Sequence, residues 1–157
     1  MKAEHEIFPI IRREPVEVFL EKLKSVAPGV TSRGMSMLHE AIAYGKAQHA
    51  ELLILHGVDV DAQDKQGQTP LHYAAIHNDL ETAKLLVTHK ADQLVSDKFG
   101  NAPLWYAVFN ARGRYELTRL YIEAGGPVSR KNKSGRSPLD FAVQIGDAEL
   151  QGLLSVG

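Results

Sequence analysis

Four short segments of this 157-residue chain are variants of one tetrapeptide, and each begins two residues after a glycine. The glycines at positions 34, 67, 100 and 135 lie 33, 33 and 35 residues apart. A period of this length is typical of solenoids, in which each repeat buries its apolar side only against its neighbours. The period therefore constrains the fold more strongly than chain length does. The segments are Ser36–His39, Thr69–His72, Ala102–Trp105 and Ser137–Asp140.

The residues around each tetrapeptide predict a turn followed by a helix. Gly67 permits a positive φ angle in the turn, and Thr69 is a suitable helix N-cap. Pro70 falls at the first helical position, where its missing N–H has no cost. A second helix is predicted in each unit by an apolar pair. These pairs are Leu52–Leu53, Leu85–Leu86, Leu120–Tyr121 and Leu153–Leu154.

The period, the glycine and the Thr-Pro-Leu-His core together resemble the ankyrin repeat, over roughly residues 30–156. The resemblance implies an all-α fold, a solenoid of stacked helix-turn-helix units joined by short β-hairpin turns. It also implies a protein-binding module, because solenoids present a surface and leave the choice of target to a few side chains.

We expect the whole chain, 1–157, to form a single domain of this kind. Residues 5–30 predict a degenerate N-terminal capping repeat, with a short helix around Phe8, Ile10 and Ile11. Its main helix is indicated by apolar residues that share one face, Val16, Phe19, Leu20 and Leu23. The regular repeats are expected at 31–63, 64–96, 97–131 and 132–157.

The third repeat departs from the pattern in two ways. Its two extra residues fall in the turn 110–114 between its helices, and insertions in solenoids often lie on the binding face. Ala102 and Trp105 replace the usual threonine and histidine. Trp105 either fills the space left by the lost hydroxyl–imidazole contact or binds a partner.

The composition argues against several other functions. A net charge of −1 gives no general attraction to nucleic acid or to an anionic membrane. The chain has no cysteine, so disulfides and thiolate metal sites are excluded. It also has neither a signal-peptide run nor an apolar stretch of about 20 residues. We therefore expect a cytoplasmic protein, monomeric when free, that binds neither nucleic acid nor membranes.

No pattern of residues indicates catalysis, a cofactor or a metal. The resemblance implies that His39 and His72 bond locally to the motif hydroxyl and the neighbouring loop. The acidic run that begins at Asp59 resembles a calcium loop, but its sixth and twelfth positions are Asp64 and Pro70 instead of glycine and glutamate. The sequence therefore predicts a protein without enzymatic activity.

The resemblance places the partner on the hairpin tips and on the exposed face of the first helix in each unit. The third unit is expected to be the centre, because aromatic and arginine side chains dominate interfaces and Phe99 and Phe109 are not needed for the core. The predicted partner-binding residues are Arg33, Met35, Tyr44, Lys65, Gln66, Gln68, Ile76, His77, Lys98, Phe99, Asn101, Trp105, Phe109, Asn110, Arg112, Arg114, Lys133, Arg136 and Gln144.

Charge is distributed unevenly, with acids concentrated in 40–92 and bases in 98–136. This arrangement either selects partners by charge or is an ordinary solvated surface. The style of the third and fourth repeats resembles small bacterial ankyrin proteins, which include immunity proteins. We therefore predict an inhibitor that neutralises a cognate bacterial toxin. The alternative is a regulatory adaptor or scaffold that recognises a peptide or protein ligand.

Overall fold

The computed structural model describes residues 2–156, with side chains described from Glu6 onward. This part of the chain contains ten α-helices and one two-stranded ladder. The elements are α1 (Lys2–Arg13), α2 (Val16–Leu23), β1 (Thr31–Ser32), β2 (Met35–Ser36), α3 (Met37–Ala43), α4 (Ala47–Leu55), α5 (Pro70–His77), α6 (Leu80–Thr88), α7 (Pro103–Phe109), α8 (Glu116–Glu123), α9 (Pro138–Ile145) and α10 (Ala148–Ser155).

The helices form consecutive antiparallel pairs, which stack side by side in two layers. The first helices, α1, α3, α5, α7 and α9, pack against one another in chain order, and α2, α4, α6 and α8 do the same in the second layer. β1 and β2 pair antiparallel, with Thr31 opposite Ser36. The predicted all-α solenoid is therefore confirmed. The division into one domain with the stated repeat bounds stays a prediction.

Backbone hydrogen bonds close each later hairpin and join it to the next. The Lys98 amide donates to the Gln66 carbonyl at 2.8 Å, and the Lys133 amide donates to the Phe99 carbonyl at 2.9 Å. Because neighbouring tips are bonded through their main chains, their side chains are held at a fixed spacing. The bonds that close the hairpins run from Asp64 to Gln68, Asp97 to Asn101 and Asn132 to Arg136.

Gly100 is required where two tips approach each other. Its φ angle is +80°, and a Cβ built there would lie 3.0 Å from the amide nitrogen of Lys133. Gly135 has a similar φ of +76°, but a Cβ there would meet nothing within 4 Å. Gly100 is therefore needed both for its positive φ angle and for its lack of a side chain, whereas Gly135 is needed only for its positive φ angle.

The N-terminal pair differs from the prediction. The first helix is the longer one, since α1 has 12 residues and α2 has 8. α1 extends because Ile7, Phe8 and Ile11 are buried against α3. The predicted inward face of α2 holds for Phe19 and Leu23, whereas Leu20 is 41% exposed.

One buried polar side chain joins the two layers, and a second has no hydrogen-bond partner among the described residues. The Tyr121 hydroxyl, on α8, donates to the Leu71 carbonyl on α5 at 2.8 Å, and burial raises the pKa of this tyrosine well above its ordinary value. Gln93 is only 4% exposed, and neither polar atom of its amide has a hydrogen-bond partner among the described residues. The same repeat position holds Val60 and Val128, so Gln93 is a polar residue in an apolar site.

Replacing the two glycines separates conformational from steric cost. We expect Gly135→Ala to lower the free energy of unfolding by about 1 kcal/mol, because alanine is strained at positive φ. Gly100→Ala should cost about 1–3 kcal/mol more, because its Cβ also crowds the next tip. Urea denaturation of both variants measures the difference, and equal losses would show that the tips are not in close contact.

Gln93→Val should raise the free energy of unfolding by about 1–3 kcal/mol, because it removes a buried amide without partners. The reverse substitution, Val60→Gln, should destabilise the protein by a similar amount and serves as the matched control. Thermal and urea unfolding measure both changes. A less stable Gln93→Val protein would mean that the amide makes hydrogen bonds that stabilise the fold.

Candidate functional site

Helices α3 and α5 each begin with a cap that also bonds to the neighbouring hairpin. The Nδ1 atom of His72 accepts from the Thr69 amide at 3.0 Å and lies 2.9 Å from its hydroxyl. Its Nε2 atom lies 2.9 Å from the carbonyl oxygen of Asn101 in the next repeat. His39 does the same with Ser36 and with the Gln68 carbonyl, also at 2.9 Å. One imidazole thus joins two repeats.

This geometry assigns a neutral tautomer to both rings. Nδ1 must be unprotonated to accept from a backbone amide, and Nε2 must carry the proton to donate to a carbonyl. Burial accordingly lowers the pKa of His39 and of His72, although the carbonyl bond to Nε2 opposes the shift. Burial also lowers the pKa of His49. His39 and His72 thus make the local structural bonds that the resemblance implied.

Aspartates hold the hairpin tips in shape. Asp97 accepts from the amides of Phe99 and Asn101 at 2.9 and 3.0 Å, and from the Tyr106 hydroxyl at 2.5 Å. Asp64 makes the equivalent bonds to the Gln66 and Gln68 amides and to Tyr73. Burial and the bond to aspartate raise the pKa of both tyrosines. The tips are therefore rigid supports for the side chains that they carry.

Most of the predicted partner-binding residues are exposed. Four are half-buried: Met35, Gln68, Trp105 and Asn110. Asn101 alone of the set is buried. The exposed ones are Arg33, Tyr44, Lys65, Gln66, Ile76, His77, Lys98, Phe99, Phe109, Arg112, Arg114, Lys133, Arg136 and Gln144. We use the name first-helix face for the surface formed by the exposed sides of α3, α5, α7 and α9 and by the hairpin tips.

The predicted partner-binding role of Asn101 and Gln68 needs a correction, because their side chains form hydrogen bonds with the next repeat. Asn101 is 8% exposed, and its Oδ1 atom accepts from the side-chain nitrogen Nδ2 of Asn132 at 2.8 Å. Gln68 donates from Nε2 to the Tyr106 hydroxyl at 3.3 Å. Position in the repeat placed both on the surface, but hydrogen bonding turns these side chains toward the next unit.

Three rings form an aromatic patch on the first-helix face: Trp105, Phe109 and Phe141. The Phe141 centroid lies 5.3 Å from that of Phe109 and 5.8 Å from that of Trp105. Trp105 occupies the position at which His39 and His72 reach a carbonyl, so the space-filling explanation of this residue is favoured. Sequence analysis missed Phe141, although it follows Pro138 as Tyr73 follows Pro70 and Tyr106 follows Pro103.

The inserted turn of the third repeat is fixed to the fourth. Tyr115, the residue before α8, donates from its hydroxyl to the Asp147 carboxylate at 2.8 Å, and this bond raises the tyrosine pKa. Residues 110–115 separate α7 from α8, whereas only 78–79 separate α5 from α6. The turn carries exposed Arg112 and Arg114 beside Phe109.

At the other end of this face, Arg12 is a residue that sequence analysis missed. It forms an ion pair with buried Glu40, and its guanidinium lies 5.4 Å from the ring centroid of Tyr44. Among the described side chains, the remaining ion pairs join Lys22 to Glu6, Lys24 to Glu21 and Arg119 to Glu149. Most bases of the late repeats therefore have no carboxylate partner in this part of the chain.

A groove of about 570 Å³ lies between α4 and α6 in the second layer. It is lined by apolar and charged side chains, among them Glu51, Lys84 and Leu85. None of the predicted partner-binding residues lines it. In the described residues, no group of three or more His, Cys, Asp or Glu side chains is placed to hold a metal ion. Nor does any helix there combine the length and the hydrophobicity needed to span a bilayer.

Comparison with known families agrees with this geometry. The family model for ankyrin repeats (3 copies) matches residues 12–97 and 38–132. The chain belongs to the ankyrin-repeat family, and its fold is a protein–protein interaction module. A search of curated proteins finds no similar sequence.

The buried histidines predict a loss of stability in mild acid. Their pKa values are lowered in the folded state, so the unfolded chain binds protons first as the pH falls below the ordinary value of 6.5. Their contribution is therefore complete above about pH 6.5 and is lost below it, by up to about 1.4 kcal/mol per pH unit for each histidine.

Urea denaturation between pH 8 and pH 5 measures this slope. The variant His72→Gln removes one of the three groups, so its stability should fall less steeply with pH even though the protein is less stable overall. An unchanged slope in the variant would show that His72 does not titrate in this way.

Proposed function

We propose that the chain acts by occupying the surface of a partner protein with its first-helix face, as an inhibitor or immunity protein that neutralises a cognate bacterial toxin. The observation that carries the proposal is the exposure of large apolar side chains on rigid supports. Phe99 is 52% exposed and Phe109 is 54% exposed. Exposed aromatic residues on a solenoid surface are typical interface anchors.

Preorganisation supports binding without rearrangement. Phe99 is carried by a tip that Asp97 holds at two amides, and its carbonyl is bonded to the next tip. Phe109 ends α7 and contacts Phe141 of α9. Because these supports are already ordered, little conformational entropy is lost on association. A rigid face of this type suits an inhibitor, which must bind tightly without changing itself.

The third repeat is the proposed centre of the interface. It contributes Lys98, Phe99 and Phe109 together with Arg112 and Arg114 of the inserted turn. An interface centred there extends to Lys133 and Arg136 on one side and to Lys65, Gln66, Ile76 and His77 on the other. Neutralisation of a toxin inside the producing cell implies a cytoplasmic location, and the free protein is proposed to be a monomer without cofactor or catalytic activity.

A regulatory adaptor is the second candidate, and the groove between α4 and α6 favours it. This groove lies in the opposite layer from the first-helix face, so a second protein bound there could be brought together with the first. The side chain of Thr82 in its wall has a buried hydroxyl without a partner among the described residues. An adaptor needs two such surfaces, whereas an inhibitor needs one.

We expect Phe99→Ala combined with Phe109→Ala to abolish capture of the partner from a lysate of the source organism while changing the unfolding free energy by about 1 kcal/mol or less. The matched control is Leu20→Ala with Leu55→Ala, which removes two exposed apolar side chains from second-layer helices α2 and α4. Capture that survives in the first variant and fails in the control would place the interface on the second layer.

The captured partner then decides between the two candidates. For an inhibitor, an equimolar amount of the chain should abolish the partner's own activity, and the double phenylalanine variant should restore it. A partner that stays fully active in the complex, and that recruits a third protein lost on mutation of Lys84 in the groove, would support the adaptor instead.

A further inference from the structure

The aromatic patch offers an apolar anchor site on the late half of the first-helix face. Its rings are inclined to one another, at 39° between Phe109 and Phe141 and 56° between Trp105 and Phe141. Ile145 follows Phe141 by one helical turn and is also exposed. The rings and Ile145 together form a partly exposed apolar seat, on which one bulky aliphatic or aromatic side chain can pack.

Cationic side chains stand around this seat. The Arg136 guanidinium donates to the Gln144 side chain at 2.9 Å, so it lies along α9 one turn beyond Phe141. The Lys98 ammonium lies 5.0 Å from the ring centroid of Phe99. The backbone of Lys133 is bonded to Phe99, and Arg112 is in the turn after Phe109. Bases therefore lie at the tips and in the inserted turn of the same two repeats that carry the apolar seat.

The carboxylates of the same region accept hydrogen bonds from amides and hydroxyls and, in the described part of the chain, form no ion pair with these bases. Asp97 accepts three hydrogen bonds within its own repeat. Asp140 accepts from the Ser137 amide at 2.9 Å, a bond that lowers its pKa. Asp147 accepts from Tyr115 and from the Leu150 amide. Among the described side chains, Arg119 is the one base of 98–136 that forms an ion pair.

We propose that the partner presents an acidic polypeptide segment with a central bulky apolar residue, which docks on the aromatic patch while its flanking carboxylates face Lys98, Lys133 and Arg136. This inference rests on the proposed function and specifies the chemistry of the partner. Charge complementarity favours the late repeats, because bases are concentrated in 98–136 whereas residues 40–92 contain more acids than bases.

A polypeptide suits the patch better than a nucleic acid does. Single strands stack their bases on open aromatic platforms that line a continuous basic groove. Here the rings pack against each other, and the repeats before the third carry more acids than bases between residues 40 and 92. A phosphate backbone that extended along the face would meet these acids, whereas a short acidic segment need not reach them.

The first test selects partners without bias. A displayed library of random short peptides is panned on the immobilised full chain, and the enriched peptides are synthesised with a fluorescent label for anisotropy titration. We expect enriched sequences to place Leu, Phe or Trp between Asp and Glu residues. Enrichment of neutral or basic sequences, or no enrichment at all, overturns the proposal.

The second test locates the charge. Lys133→Glu with Arg136→Glu should weaken binding of an enriched acidic peptide by about tenfold or more, and added salt should weaken binding to the unmodified chain. The matched control is Lys84→Glu with Lys90→Glu, which changes the net charge equally on exposed residues in and after α6 and should alter affinity by less than about twofold. Equal effects of both variants would show general electrostatics without a docking site and overturn the proposal.

Two further outcomes separate this inference from the proposed function. A cellular partner lost with Phe99→Ala and Phe109→Ala but indifferent to Lys133→Glu with Arg136→Glu leaves the first-helix face as the interface and overturns the acidic segment. A partner indifferent to both variants overturns both proposals. Tighter binding of a labelled oligothymidine than of any acidic peptide assigns the patch to nucleic acid instead.

Discussion

The first two junctions of the regular repeats each depend on one hydrogen bond, from the motif histidine to a carbonyl of the next hairpin. His39 and His72 each cap their own helix through Nδ1 and reach the neighbouring unit through Nε2. Because each ring is buried and has its tautomer fixed at both nitrogens, a displaced ring would leave several polar groups without partners. This requirement sets the distance between hairpins, and with it the distance between first helices.

The arrangement of side chains on the first-helix face depends on this distance between hairpins. Neighbouring tips approach so closely that Gly100 has no room for a side chain, and the aspartates that close them leave the tip side chains pointing away from the stack. Binding residues are thus held by the same hydrogen bonds that hold the repeats together. A substitution can change binding without changing stability only at residues such as Phe99, whose backbone is hydrogen-bonded in the stack and whose ring is exposed.

The sequence predicts the features that recur in each repeat, but it does not predict the contacts that a side chain makes with a neighbouring repeat. Glycine, cap and Pro-Leu positions recur in phase, so the helix pairs and the exposure of Phe99 and Phe109 were accessible from spacing alone. The N-terminal pair lacks the tetrapeptide, so nothing in the pattern indicated a long α1 or the ion pair of Arg12 with Glu40. Asn101 and Gln93 could not be placed because their surroundings come from a neighbouring unit.

The third junction replaces the polar connection with an aromatic one. Among the described residues the Trp105 side chain forms no hydrogen bond like that of His72, and the fourth repeat is held instead by packing of Trp105 on Phe141 and by the bond from Tyr115 to Asp147. An aromatic joint between repeats remains partly open to the outside, whereas a buried histidine joint does not. The tryptophan at the motif histidine position therefore replaces a hydrogen bond of this junction with aromatic packing and contributes to the apolar seat. A partner that covers the seat also buries the joint, so its binding energy and the stability of α9 and α10 are coupled.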